Sequence, residues 1–236
     1  MSISYKRVLL KLSGEALAGE NGIINYDYIR EIGKIVRGAV EEGAQIAIVV
    51  GAGNIWRGRQ GFVDMDRVRA DQMGMLATVI NALAIQDAFA AEGCEAVVMT
   101  AAEMNAFAEH FTKRDAIRAL ESGKVVIFGG GTGSPFFSTD TTAVLRAAEI
   151  EADVIMMAKN IDAIYTADPR KDPNAVRLEE TTYEYILENK LGAIDITAAS
   201  LAMDNGLPLY CFGLDKAENI GRVIRGEKIG TKVNCK

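Results

Sequence analysis

Four short stretches bring together residue types that handle phosphate. In Lys11-Leu-Ser-Gly-Glu15 a cation, a hydroxyl and a closely approachable backbone lie within five positions. That trio suits a phosphate chain, although a solvated lysine ahead of an ordinary turn uses the same residues. In Gly51-Ala-Gly-Asn-Ile-Trp-Arg-Gly58, two glycines and Asn54 allow a sharp turn with inward amides. Arg57 follows about one helical turn later, and its planar fork grips phosphate oxygens two at a time. This is neither a dinucleotide fingerprint, because Trp56 stands where the third glycine belongs, nor a G-x-x-x-x-G-K-[ST] loop. The third stretch, Gly129-Gly-Gly-Thr-Gly-Ser-Pro-Phe-Phe-Ser-Thr-Asp140, opens on consecutive glycines, whose backbone entropy cost a plain turn seldom retains. Its hydroxyls and Asp140 lead into a helix with an apolar stripe starting at Val144 and Leu145, and the helix start offers an anion unpaired amides. Phe136 and Phe137 would give a base an apolar floor. The fourth stretch, Lys159-Asn-Ile-Asp-Ala-Ile-Tyr-Thr-Ala-Asp-Pro169, has a lysine, an aromatic and two aspartates suited to an adenosine and its phosphates. Asp168-Pro169 also reads as a simple turn.

These stretches follow apolar runs that read as strands: Val8–Leu10, Ile46–Val50, Ala96–Met99, Lys124–Phe128, Val154–Met157 and Leu209–Phe212. Continuous β-branched runs suit strands covered on both faces of a mainly parallel sheet. Helical segments alternate with them: Tyr28–Glu42, closed by Gly43; the Met-, Leu- and Ala-rich Arg67–Glu92; and one capped by Thr112 and Asp115 and closed by Gly123. Strand, helix, strand in this order predicts an α/β fold, a three-layer α/β/α sandwich with a mainly parallel central sheet. No Gly-, Ser- or Pro-rich linker divides the chain, so residues 1–236 are expected to form one domain, with a broken loop-and-helix excursion at about 163–198. Ligands of such sheets sit at the carboxyl ends of strands, where all four stretches fall.

The chain has 236 residues, 49% of them hydrophobic and 25% charged, an ordinary globular composition. A net charge of −6 with no basic run argues against polymeric nucleic acid as a partner. Cys94, Cys211 and Cys235 are scattered without metal-ligand spacing, and the first two suit small buried hydrophobes of a reduced compartment. The lone histidine, His110, rules out a His-rich metal site, and with no G-x-S-x-G elbow it reads as a surface or loop residue. The start carries no signal-peptide core, and no apolar run approaches the roughly 20 residues that span a bilayer. The expectation is a cytoplasmic protein without a membrane partner.

Five segments, in order, resemble the bacterial-type UMP kinases (uridylate kinases) of the amino acid kinase superfamily. They are Lys11-Leu-Ser-Gly-Glu-Ala-Leu17, Val50-Gly-Ala-Gly-Asn-Ile-Trp-Arg-Gly58, Asp71-Gln-Met-Gly-Met-Leu-Ala-Thr78, Thr132-Gly-Ser-Pro-Phe-Phe-Ser-Thr-Asp140 and Tyr165-Thr-Ala-Asp-Pro169. The likeness runs from Lys6 to Thr231, and the third and fourth segments are its most specific parts. The sequence departs from the pattern at Ala52, Ser134 and Ser138, and slips by one residue around Lys159-Asn160.

The resemblance implies phosphorylation of UMP to UDP by ATP with Mg²⁺, in pyrimidine nucleotide synthesis, by a homohexamer activated by GTP and inhibited by UTP. It implies catalytic roles for Lys11, Arg57 and Asp140, and no metal site made by protein alone. ATP would be held by Lys11, Leu12, Ser13, Gly14, Gly53, Arg57, Asn160, Tyr165 and Asp168. UMP would be held by Ala52, Asp71, Thr132, Gly133, Ser134, Pro135, Phe136, Phe137, Ser138 and Thr139. Gly19, Glu20, Asn21, Gly22, Ile23 and Ile24 would form the GTP-responsive region. Residues 1–150 would form the acceptor side and 151–236 the ATP side. Two other readings stay open: a kinase of the superfamily with a different acceptor, and a non-catalytic nucleotide- or oxyanion-binding protein on the same fold.

Overall fold

The computed structural model describes residues 3–19, 22–56 and 64–235. Its strands are β1 (Arg7–Leu12), β2 (Gln45–Val50), β3 (Ala96–Thr100), β4 (Glu109–His110), β5 (Val125–Gly129), β6 (Val154–Lys159), β7 (Ile164–Tyr165), β8 (Arg177–Leu178), β9 (Glu180–Thr182), β10 (Leu209–Gly213) and β11 (Thr231–Asn234). Its helices are α1 (Tyr26–Glu41), α2 (Arg67–Ala91), α3 (Lys113–Glu121), α4 (Thr139–Glu149), α5 (Tyr183–Glu188), α6 (Ile196–Asp204) and α7 (Glu218–Ile224). A sheet in the order β4-β3-β5-β2-β1-β6-β10-β11-β9 carries the fold, and β7 pairs with β8 apart from it. Pairing in the large sheet is parallel except between β10 and β11. The expected α/β/α sandwich is what forms.

The period-two alternation of each strand builds two cores. Val8, Leu10 and Leu12 of β1, with Met156 and Ala158 of β6, pack against α1, α2 and α7. Leu9 of β1, with Ile155 and Met157 of β6, points the other way, against α3, α4, α5 and α6. Caps fix the helix starts as side-chain chemistry requires. Asn25 accepts from the Tyr28 amide at 3.1 Å, Asp66 from Arg69 at 2.9 Å, and Thr112 from Asp115 at 3.1 Å.

Several boundaries differ from the sequence expectation. The first strand continues through Leu12, so Lys11 lies inside the sheet rather than past its edge. The strand after α4 likewise runs on to Lys159. The helix after the triple glycine begins at Thr139, ahead of its apolar stripe, which places Asp140 in the opening turn. His110 is exposed, as expected, but belongs to the short strand β4 rather than a loop. Helix α2 departs from the expectation about apolar length: its 25 residues are, by length and composition alone, long and apolar enough to cross a bilayer. The helix instead lays Ala82, Ile85, Ala88 and Phe89 against the sheet and α1.

Candidate active site

Alternation along β1 sends Lys11 to the same face as Leu9, and alternation along β6 sends Lys159 to the face of Ile155 and Met157. Both lysines therefore leave the sheet on the α4 side. Lys11 Nζ lies 3.1 Å from Asp140 Oδ1 and Lys159 Nζ 3.3 Å from Asp140 Oδ2. Lys159 also donates to the Ala193 carbonyl. Burial by itself pushes the Asp140 carboxyl up, but Lys11 and then Lys159 outweigh it and hold the group below the usual carboxylate value. Asp140 thus stays ionised between two cations. The thiol of Cys211, on the same face, is pushed up to about 11 by burial and stays protonated.

Three backbone turns meet at this cluster. Gly14 begins a 3-10 turn directly after Ser13, and Gly51–Gly53 follows β2. A Cβ on Gly14 would lie 2.6 Å from the Gly53 nitrogen and 2.7 Å from the Gly51 oxygen, so only glycine lets the turns touch. A Cβ on Gly51 would come within 3.8 Å of Thr139 Oγ1, at the start of α4. Ser138 caps that helix, accepting from the Thr141 amide at 3.0 Å. Asp195, itself the cap of α6, accepts from both the Ser138 and Thr141 hydroxyls. Gly130 and Gly131 have φ of +78° and +60°, and the Gly130 amide donates to Thr78 Oγ1 of α2 at 2.9 Å.

Two groups of cavities flank the Lys11–Asp140–Lys159 cluster. One, of about 740 Å³, is lined by Lys11, Ser13, Glu15, Lys159, Asn160 and Asp162, among others. It shares Lys159 and Ile161 with a neighbour of about 470 Å³ that holds Tyr165 and Asp168. Tyr165 donates to Asp162 at 3.0 Å, and Arg170 engages Asp168 at 3.1 Å and holds its carboxyl low. On the other flank, about 360 Å³ is lined by Ala52, Gly53, Asp71, Ser134, Ser138 and Thr139, among others. Asp71 Oδ2 accepts from the Phe136 amide at 2.8 Å and pairs with Arg67 Nε at 3.1 Å. Phe136 itself sits at φ +72°. The Arg67 guanidinium lies 5.3 Å from the Phe136 ring centre. Phe137 lines this cavity too. A wider cleft of about 1030 Å³ runs past Asp71, Phe136, Asp140 and Asp195.

Most of the sequence-derived residues gather here, with distinctions. Leu12 turns its side chain into the opposite core, and its carbonyl accepts the Gly51 amide at 2.9 Å. Thr132, Gly133 and Pro135 stand in the turn that carries Ser134: Thr132 Oγ1 accepts from the Ser134 amide at 3.2 Å, and Gly133 packs on Ala101. Arg57 lies outside the described residues, as do Glu20 and Asn21. Gly19 and Gly22 pair across a tight bridge, and the Ile23 carbonyl accepts from Asn54 Nδ2 at 2.6 Å. The sequence slip at Lys159-Asn160 put Asn160 into the ATP-binding set, with Lys159 read only as a lysine suited to phosphate. Both line the same cavity, but Lys159 is the one that reaches Asp140. Glu15, Asn81 and Asp195 were not singled out.

Residues 6–213 match the model of the amino acid kinase family. Among solved structures, the chain is similar to the UMP kinase from Bacillus anthracis, at 36% identity and TM-score 0.94, covering 98% of this chain and 97% of that one. The UMP kinase from Ureaplasma parvum matches at 35% identity and TM-score 0.92, over 97% of this chain and 98% of that one. The uridylate kinase from Archaeoglobus fulgidus matches at 27% identity and TM-score 0.74, over 96% and 99%.

Proposed function

The chain belongs to the amino acid kinase family, and from that premise we propose that it transfers the γ-phosphoryl group of ATP to UMP. The observation that carries this reading is the Lys11–Asp140–Lys159 bridge, buried between a donor-side and an acceptor-side cavity.

Phosphoryl transfer asks a protein mainly to align two anions and to balance the charge that shifts between them. The UMP phosphate is already an anionic nucleophile at neutral pH, so no general base is needed. Its oxygen attacks the γ-phosphorus in line while the bond to the β-bridging oxygen breaks, leaving ADP and UDP. Lys11 and Lys159 meet the oxygens of the moving group, and the ionised Asp140 keeps both ammonium groups aimed and charged. The opening amides of α4 add partial positive charge near the acceptor phosphate.

On this reading Ser13, Gly14, Gly53 and Asn160 hold the ATP phosphates, with Tyr165 and Asp168 beside the adenosine and Arg57 joining the phosphate grip. Ala52, Asp71 and residues 132–139 hold UMP, so the acceptor contacts lie within 1–150, while 151–236 supplies the adenosine side and shares the ATP phosphates with Ser13, Gly14, Gly53 and Arg57. Both Asp140 oxygens are engaged by lysines, and among the described residues no three His, Cys, Asp or Glu side chains form a metal cage. Mg²⁺ would therefore arrive as the ATP complex, held by phosphate oxygens, where it neutralises phosphate charge. A cytoplasmic homohexamer with GTP activation through Gly19–Ile24 and inhibition by UTP completes the proposal, by analogy with the resemblance in sequence.

The test is ADP release with UMP, CMP and aspartate offered side by side. UMP should be turned over fastest. Turnover with aspartate alone would assign another acceptor, and no turnover with any would favour a binding protein.

A further inference from the structure

Asn81 is a fully buried amide in the middle of α2, among Ala77, Val79, Ala82 and Ile85. An amide in such surroundings is costly unless its polar atoms are bonded. Here they are. Asn81 Nδ2 donates to the Gly51 carbonyl and to Asn54 Oδ1, each at 2.8 Å, and Asn81 Oδ1 accepts from Asn54 Nδ2 at 2.9 Å. The two amides form a reciprocal pair, and Asn54 extends it to the Ile23 carbonyl.

The geometry matters because of where Gly51 stands. Its amide is tied to the Leu12 carbonyl at 2.9 Å, and the Ala52 carbonyl is taken by the amides of Ile55 and Trp56 at 2.9 and 2.8 Å. Of the two carbonyls that set this turn, Ala52's is held by backbone and Gly51's by a side chain. In a planar trans peptide, the N–H of one residue runs antiparallel to the C=O of the residue before. Anchoring the Gly51 carbonyl on Asn81 therefore turns the Ala52 N–H away from α2's buried amide, and Ala52 lines the acceptor cavity. Released from Asn81, that peptide could rotate and present a carbonyl where an anion needs a donor.

We propose that Asn81, supported by Asn54, is a positioning residue that aims the Ala52 amide at the acceptor's phosphate. This rests on the reading of the acceptor cavity given above. The test is steady-state kinetics of the full-length wild-type, Asn81→Leu and Asn54→Ala proteins, with UMP and ATP varied separately and thermal unfolding run alongside. In Asn81→Leu the KM for UMP should rise at least tenfold while the KM for ATP stays within twofold. Asn54→Ala, at a half-buried position, should show the same split at threefold or more, and it decides the matter if Asn81→Leu does not fold. A merely structural amide would lower the unfolding temperature and leave both KM values unchanged. That outcome, or an equal rise in both, overturns the proposal. Absence of UMP-dependent ADP release in the wild type would instead overturn the acceptor assignment, which keeps the two failures apart.

Discussion

Lys11 and Lys159 sit on opposite oxygens of one half-buried carboxylate, 3.1 and 3.3 Å from Asp140, although they lie far apart in the chain. Their strands are immediate neighbours in parallel register, with Lys11 opposite Met157 and Lys159 two residues further along. The side-chain period of two is what gives both lysines the same face. Each can hold charge at the centre of the site because the Asp140 carboxylate between them offsets their mutual repulsion.

Replacing Lys11 or Lys159 by alanine should lower kcat by tens- to hundreds-fold, equivalent to about 2–4 kcal/mol in the barrier. Coupled ADP release measures this. The two losses should not add, since both lysines act through one carboxylate. Full kcat in Lys11→Ala would contradict the assigned role.

Asp140→Asn should remove part of the acid sensitivity of folding. The carboxyl lies below its ordinary 3.8 in the folded protein. Its stabilising contribution is therefore complete above that value and is lost as pH falls through the lowered one. Urea unfolding across acid pH should show a shallower loss for the variant. At neutral pH the variant leaves two lysines without their partner and should be less stable by about 3–5 kcal/mol. Identical acid slopes would contradict the linkage.

Gly14→Ala should be poorly tolerated for a steric reason alone. The new methyl would sit 2.6 Å from the Gly53 nitrogen, so one of the two turns must retreat. A cost of about 1–3 kcal/mol is expected, with both KM values raised because the Gly51–Gly53 turn carries Gly53 on the ATP side and Ala52 on the UMP side. Urea midpoints and kinetics at saturating cosubstrate would show it.

Asp195→Ala should remove the α6 cap and the acceptor shared by Ser138 and Thr141. Losing such a cap costs about 0.5–2 kcal/mol. Asp195→Asn, which keeps an accepting oxygen, should recover most of it. Thermal unfolding of the pair decides, and equal stability of both with wild type would show the link to be idle.

Much of this arrangement was legible in the residues. The apolar runs announced the covered parallel strands, and the glycine-opened turns announced where ligands approach. What was missed has physical causes. Strand ends were drawn where hydrophobicity stops, yet backbone pairing carries β1 and β6 through Lys11 and Lys159, because their ammonium groups find Asp140 rather than water. Extending the alternation of Ile155 and Met157 by one step would have pointed to Lys159. Strand β9, at the sheet edge, and β11 beside it hold Glu, Thr, Lys and Asn with Val233 as their one apolar residue, so no apolar run marks them. Asn81 depends on partners 27 and 30 residues away, and the link from Asp195 to Ser138 and Thr141 spans 57 and 54, distances that no local pattern encodes.

Strand β1 lies between β2 and β6, with the β2, β5 and β3 side on one flank and the β10, β11 and β9 side on the other. On the proposed reading, the loops that recognise the accepting molecule spring from one flank and Asn160, Tyr165 and Asp168 of the donor side from the other, while the Lys11–Gly14 stretch and Gly53 serve the phosphates between them. Evolution could thus exchange one half's clientele while leaving the power supply untouched. A chimaera that swaps only the β5–α4 loop with that of a relative should inherit that relative's choice of acceptor and keep its own donor, because the loop after β2 also carries Gly53 and Arg57 of the ATP grip.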